Sequence, residues 1–225
     1  AIQPLKAIAD VCHDAGVALH TDASQALGKM RVHVEELCVD LLTLSGHKMY
    51  APKGVGAMYI RHGTLLEPLL HGEGQEGGLR PGTENVAGIA GLGAAAVYMA
   101  KNHDTTCERL ARLSDDLLAR LREGVDELVV HAEKARRLPN TLSVSFPGVL
   151  GQRLLARIPE LSASAAAADH DETEAICPTL AAMGVSSEAA QGTVRLSLGW
   201  YTTEDDVARA ASLLIGAWEA LRPRR

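Results

Sequence analysis

The 225 residues are 47% apolar but only 3% aromatic, with a formal net charge of −6. That length holds one large domain or two small ones around an aliphatic, alanine-rich core. An acidic balance without a basic stripe or interleaved aromatics argues against nucleic-acid binding, and the apolar runs fall far short of the roughly 20 residues that cross a bilayer. Cys12, Cys38, Cys107 and Cys177 lack paired metal-ligand spacing, so no metal site is expected. No secretory signal is visible and the thiols read as reduced, which points to a cytoplasmic protein. Cys12 and Cys38 are expected to be small buried hydrophobes.

In chain order, Leu5, Ile8, Ala9 and Cys12 share one face of a helix predicted over 4–16, which Gly16 stops. A buried strand is expected at 17–20, and a turn or helix begins at 23–28. A short stretch at 35–38 leads into a strand at 40–44. Pro52-Lys53-Gly54 forms a turn before a strand at 55–60. This alternation predicts an α/β fold with parallel strands. Gly72, Gly74, Gly77, Gly78 and Gly82 mark a loop over 72–82. A small-residue helix follows at 85–102. A long amphipathic one at 106–124 carries Leu110, Leu113, Leu117, Leu118 and Leu121 on one side. Next come a strand at 140–146, a short helix at 151–157, a strand at 161–165, a helix at 177–184 and a strand at 193–198. A helix at 204–221 closes the chain, with Thr202 or Thr203 as its cap and an acidic first turn. We read 1–100 as part of a large domain and 101–225 as a smaller α/β domain, bridged by the long helix.

Two of the apolar runs end in chemistry-bearing residues. One ends in His20-Thr21-Asp22-Ala23-Ser24-Gln25, the other in Ser45-Gly46-His47-Lys48. A lysine at a strand end, beside an imidazole and within reach of a carboxylate, suits Schiff-base chemistry. Its amine must be deprotonated to attack a carbonyl, and partial burial lowers its pKa. In a pyridoxal phosphate site a carboxylate also pairs with the pyridinium nitrogen. Singly, each residue has a plainer reading. Lys48 fits a surface lysine after a strand, Asp22 or Gln25 a helix cap, and Arg195 an exposed strand residue.

Taken together, the set resembles the cofactor-lysine region of cysteine desulfurases, class V members of the fold type I pyridoxal phosphate enzymes. The resemblance continues through Gly74-Gln75-Glu76, Leu79-Arg80-Pro81-Gly82-Thr83-Glu84-Asn85, Leu138-Pro139-Asn140-Thr141 and Val194-Arg195-Leu196-Ser197-Leu198-Gly199. It implies the later part of the large parallel-sheet domain followed by the small C-terminal α/β domain. Ile2-Gln3-Pro4-Leu5 resembles the segment after an Asn-bearing strand of the cofactor site. The ring-stacking side chain and a phosphate-holding Gly/Thr turn are therefore expected upstream, in this polypeptide or in another chain. By the same resemblance Lys48 holds the cofactor, Asp22 faces the pyridinium nitrogen and Gln25 the phenolic oxygen. Ser45 and His47 bind the phosphate, and Arg195 clamps the substrate carboxylate. Thr83 reaches the cofactor of a partner subunit, which implies a homodimer with shared sites. Cysteine as substrate, a sulfur-acceptor protein and a place in sulfur metabolism or iron–sulfur cluster assembly are implied as well.

One departure bears on the chemistry. In the family a mobile loop after a small-residue strand carries the cysteine that attacks the substrate sulfur. Here the strand is Ser162-Ala163-Ser164-Ala165-Ala166-Ala167-Ala168. Counting back from Leu180-Ala181-Ala182-Met183-Gly184 puts Asp169 at the cysteine position. A carboxylate cannot become a persulfide. Ala166 stands where a Gly is usual, and Gly77 and Trp200 where many relatives have Arg. Three readings follow: an impaired desulfurase, a pyridoxal phosphate-dependent C–S or C–Se lyase or other β-elimination enzyme, and a non-catalytic homologous subunit. Cys177, at the start of the following predicted helix, is the other thiol in that region.

Overall fold

The computed structural model describes residues 1–165 and 177–222. The chain divides into two compact units, one of Gln3–Thr105 and one of Thr106–Arg225 with Ala1–Ile2. The division falls inside a single long helix.

In the first unit, helix α1 (Leu5–Asp14) buries Ala9, and on its outer side Lys6 pairs with Asp10 at 2.7 Å. A three-stranded sheet follows in the order β1 (His20–Asp22), β2 (Leu41–Ser45), β3 (Gly56–Ile60). β1 and β2 run parallel with Asp22 opposite Thr43, and β3 is antiparallel to β2 with Gly56 opposite Ser45. β1 lies later than the expected 17–20. The Leu19 amide donates to Asp40 Oδ2 at 2.8 Å, and its carbonyl accepts the Asp40 and Leu41 amides, so regular pairing starts only at His20. Helix α2 (Val34–Leu37) contributes to a small core in which Ala23, Val39 and Leu42 are buried.

Cys12 and Cys38 are half-buried, not fully buried as expected. Cys12 sits on α1, whose buried residue is Ala9 alone. Cys38 ends α2 in the left-handed region at φ 54°, its thiol donating to the Glu35 carbonyl.

The two helices expected at 85–102 and 106–124 are one, α3 (Val86–Gly124). The polar junction holds no Gly or Pro. Its side chains satisfy the preceding turn: Asn102 Nδ2 donates to the Tyr98 carbonyl at 2.8 Å, and Thr105 Oγ1 to the Asn102 carbonyl at 3.2 Å.

In the second unit four antiparallel strands form a sheet in the order β4 (Val129–Val130), β5 (Thr141–Ser145), β7 (Thr193–Ser197), β6 (Ser164–Ala165). Leu142 and Val144 of β5 and Val194 and Leu196 of β7 alternate inward. They meet Leu110, Leu117 and Leu121 of α3 and Val207, Leu214 and Trp218 of α7 (Glu204–Leu221) in one core. Only 164–165 of the strand expected at 161–165 is paired. Turns after α4 (Gly151–Ala156) run on until the Leu161 amide donates to Ile158, which delays the strand. β4 and the short helix α6 (Ser187–Gln191), capped by Ser186, were not expected; each is too short to show a period in sequence. Helix α5 (Pro178–Ala182) begins just after Cys177. No helix among the described residues is long and apolar enough to cross a membrane.

Candidate active site

Because β1 and β2 are parallel, both end at the same edge of the sheet, where α/β folds place their ligands. β1 ends at Asp22. β2 ends at Ser45 and runs directly into a 3-10 turn, Gly46–Met49, that presents His47 and Lys48. That turn is tight. The Gly46 amide donates to the Val55 carbonyl at 2.9 Å, and a Cβ on Gly46 would lie 2.7 Å from the same oxygen. Any larger residue would push the turn off β3 and move the lysine. Met49 is buried beneath the turn while His47 and Lys48 are exposed. The partial burial expected for Lys48 is thus absent here: it sits on the outside of a one-turn helix whose inward positions belong to Gly46 and Met49.

Asp22 caps no helix, since the residues after it form turns. Its Oδ1 accepts the Ser24 amide at 2.8 Å, an Asx turn that fixes the carboxylate at the strand end. The Ser24 hydroxyl and then the Ser24 amide hold this carboxyl below the usual Asp range, so it is ionised at neutral pH. The Ser24 hydroxyl donates to Ser45 Oγ at 3.2 Å, linking the ends of β1 and β2. Lys29 Nζ donates to the Lys48 carbonyl at 3.2 Å. Burial, and next the charge of Lys48, lower the Lys29 pKa. Neither Ser24 nor Lys29 stood out in sequence, because only the sheet brings them to Ser45 and Lys48.

Asp22, Ser45, His47 and Lys48 are therefore gathered at one edge. Gln25 is exposed in the turns after β1, and Thr83 is exposed after Gly82, whose φ of +100° favours glycine. Among the described residues no hydrogen bond joins Gln25 or Thr83 to that group. Arg195 belongs to the second unit. In register it lies between Ser143 of β5 and Ser164 of β6, and its guanidinium donates to Ser164 Oγ at 3.2 Å. Arg109 of α3 fixes the segment after β7, donating to the Thr202 carbonyl at 2.7 Å. Asp169 and Ala166 lie outside the described residues.

The donor set at the first unit's edge fits pyridoxal phosphate. An ionised carboxylate suits a pyridinium nitrogen, and a primary amine suits an aldehyde. Hydroxyl, imidazole and ammonium groups suit a phosphate. Ser45 and His47 precede the amine directly, and Lys29 adds a second cation beside it.

Comparison with known proteins gives the family. The aminotransferase class-V family matches residues 1–210. The cysteine desulfurase IscS of Dictyoglomus turgidum is 37% identical over 223 residues, covering 98% of this chain and 57% of that protein. The cysteine desulfurase IscS 1 of Archaeoglobus fulgidus is likewise 37% identical, covering 98% and 58%. Among solved structures, a NifS-like protein from Rickettsia africae superposes with a TM-score of 0.87 at 25% identity, covering 97% of this chain and 58% of that one. A second NifS-like protein gives 0.85 at 34% identity, with 98% and 57% covered. The chain thus spans somewhat more than half the length of the relatives it matches. Its fold is that of the fold type I enzymes, and it belongs to the class-V aminotransferase family, whose cofactor is pyridoxal phosphate.

Proposed function

We propose that this chain is the lysine- and arginine-bearing part of a cysteine desulfurase-like enzyme that cleaves the C–S bond of cysteine, with sulfur transfer impaired at Asp169. The observation behind this reading is the gathering of Asp22, Ser45, His47 and Lys48 at the edge where β1 and β2 end, with the carboxyl of Asp22 held ionised. When bound, pyridoxal phosphate supplies an electron sink for charge developing at the substrate Cα. The Lys48 amine holds the cofactor, then takes and returns the proton at Cα. The Asp22 carboxylate pairs with the ring nitrogen and keeps it protonated. Gln25 donates to the phenolic oxygen, and Ser45 and His47 hold the phosphate. The planar guanidinium of Arg195 grips the substrate carboxylate with two parallel donors.

A thiol is missing from this inventory. Asp169 stands where sulfur must be accepted, and Cys177 is tied to the start of α5, followed at once by Pro178. That specific change favours a second reading, β-elimination. Elimination needs Lys48 and Arg195 but no persulfide. Both readings go with a homodimer in which Thr83 meets the partner's cofactor. Exposed Leu65, Leu69 and Val86 in the first unit supply apolar surface for such a contact. We assign the reaction to the cytoplasm. With Asp169 in place of the thiol, desulfuration takes a thiolate of an acceptor protein that attacks the substrate sulfur. That attack forms the S–S bond of a persulfide and leaves the C–S electron pair on carbon for alanine, in uses such as iron–sulfur cluster assembly.

The test is product analysis after adding cofactor and cysteine. Alanine identifies desulfuration and pyruvate identifies elimination. If neither forms and no cofactor adduct absorbs near the visible edge, the chain is a non-catalytic subunit and the proposal fails. Asp169→Cys should gain a cysteine-dependent persulfide and alanine, whereas Cys177→Ala should change little. Persulfide on the unaltered protein that Cys177→Ala abolishes would show that Asp169 is not the position that matters.

A further inference from the structure

We propose that Ser24 is a positioning residue for the cofactor phosphate, acting through Ser45. This rests on the reading of the Ser45 edge as a pyridoxal phosphate site. The resemblance that assigned Ser45 and His47 gave Ser24 no role. Yet Ser24 is the residue that touches both ends of the rim. Its backbone amide donates to Asp22 Oδ1 at 2.8 Å, and its hydroxyl donates to Ser45 Oγ at 3.2 Å.

A serine hydroxyl has one proton to give and two lone pairs to fill. Once Ser45 Oγ accepts from Ser24, the proton of Ser45 cannot point back along that line. It is left to turn toward the rim, where a phosphate oxygen is the acceptor. The bond also removes rotational freedom from Ser45, so less is lost when phosphate arrives. The hydroxyl also favours the ionised Asp22 carboxyl, so without phosphate it serves that carboxylate as well as Ser45. A phosphate dianion decides between them. It draws the Ser45 proton outward, makes Ser45 Oγ the better acceptor, and so pulls the Ser24 proton to Ser45. Asp22 keeps the Ser24 amide throughout, because that bond is made by the backbone. With phosphate present the side chain of Ser24 would therefore serve Ser45, while its backbone serves the ring-nitrogen carboxylate throughout.

This division makes a selective prediction. Dissociation constants are measured for pyridoxal phosphate and for phosphate-free pyridoxal on the full-length protein that carries this chain and on its variants. Ser24→Ala should weaken pyridoxal phosphate about tenfold, the loss expected when a hydrogen bond serving a charged group goes. Pyridoxal binding should fall by much less, because Asp22 loses only the hydroxyl's share of its stabilisation and keeps the Ser24 amide. Ser24→Thr keeps the hydroxyl and should restore the phosphate preference. In a Ser45→Ala background, Ser24→Ala should add no further loss, since its route of action is gone. Equal weakening of both ligands by Ser24→Ala, no weakening at all, or full additivity with Ser45→Ala would each overturn the proposal while leaving the site itself in place. A parent chain that binds neither ligand would overturn the site along with it.

Discussion

Lys48 and Lys29 show how residues of one type part roles through their surroundings. Lys48 is exposed at the outer side of a one-turn helix, whereas Lys29 is half-buried with its ammonium spent on the Lys48 carbonyl. Borohydride reduction with pyridoxal phosphate, followed by peptide mapping, should put the cofactor mass on Lys48. Label on Lys29 or Lys53 instead would mean the reactive amine has been misassigned. The chemistry-bearing motif was legible because Ser45, Gly46, His47 and Lys48 are contiguous and the β-strand before them is short and apolar. Ser24 and Lys29 were not, since only the pairing of β1 with β2 brings them to Ser45 and to the Lys48 carbonyl.

At the scale of elements, the closing helix was the most readable. The run of apolar residues at helical spacing over 204–221 matches α7 end for end, because its cap is written locally. The Thr203 side chain accepts the Asp206 amide at 3.1 Å, and Asp206 Oδ2 accepts the Thr203 amide at 2.9 Å. That reciprocal pair closes a capping box. The Thr203 amide, and next the Thr203 hydroxyl donating to Oδ2 at 2.8 Å, hold the Asp206 carboxyl below its usual range. Thr203→Ala should cost about 1 kcal/mol of stability for the second unit, read from the midpoint of denaturant unfolding at neutral pH. No change in midpoint would mean that burial of Val207, Leu214 and Trp218 fixes the helix start without its cap. Helix α3 teaches the opposite lesson. Its polar residues 102–105 look like a break, but their side chains bond back onto the helix and carry it through.

At the scale of the whole molecule, two dependences are expected. The first is on pH. His131 is buried in the second unit, its Nε2 2.7 Å from Ser145 Oγ and 3.2 Å from Thr193 Oγ1. Burial holds its pKa below the ordinary value. The unfolded chain takes up this proton near pH 6.5, the folded chain only at lower pH. In between, the unfolded state binds more protons, so stability rises with pH. The contribution of His131 is complete above about pH 6.5 and is lost as pH falls below it. Urea unfolding at pH 7.5 and 5.5 should show this drop, and His131→Gln should flatten it. A drop of the same size in the variant would assign it to other groups. The second dependence is on assembly. Thr83→Val should weaken cofactor retention while leaving the circular dichroism spectrum unchanged. A cofactor-saturated monomer with full activity in sedimentation would contradict the shared-site homodimer.

The family, the α/β alternation and the amphipathic face of α3 were legible in the sequence, and so were the residue types expected to supply charge and nucleophilicity. Each of these is written in local spacing or in contiguous motifs, which survive without knowledge of the fold. Tertiary structure decided where β1 begins, because Asp40 captures the Leu19 amide from across the sheet. It decided that Cys12 and Cys38 are less buried than their type suggests and Lys48 less than its expected chemistry does, since burial depends on what packs over a residue and not on the residue alone. It also decided which side chains surround the motif. The parallel pairing of β1 with β2 carries Ser24 to Ser45, a meeting between residues far apart in the chain that no local pattern encodes.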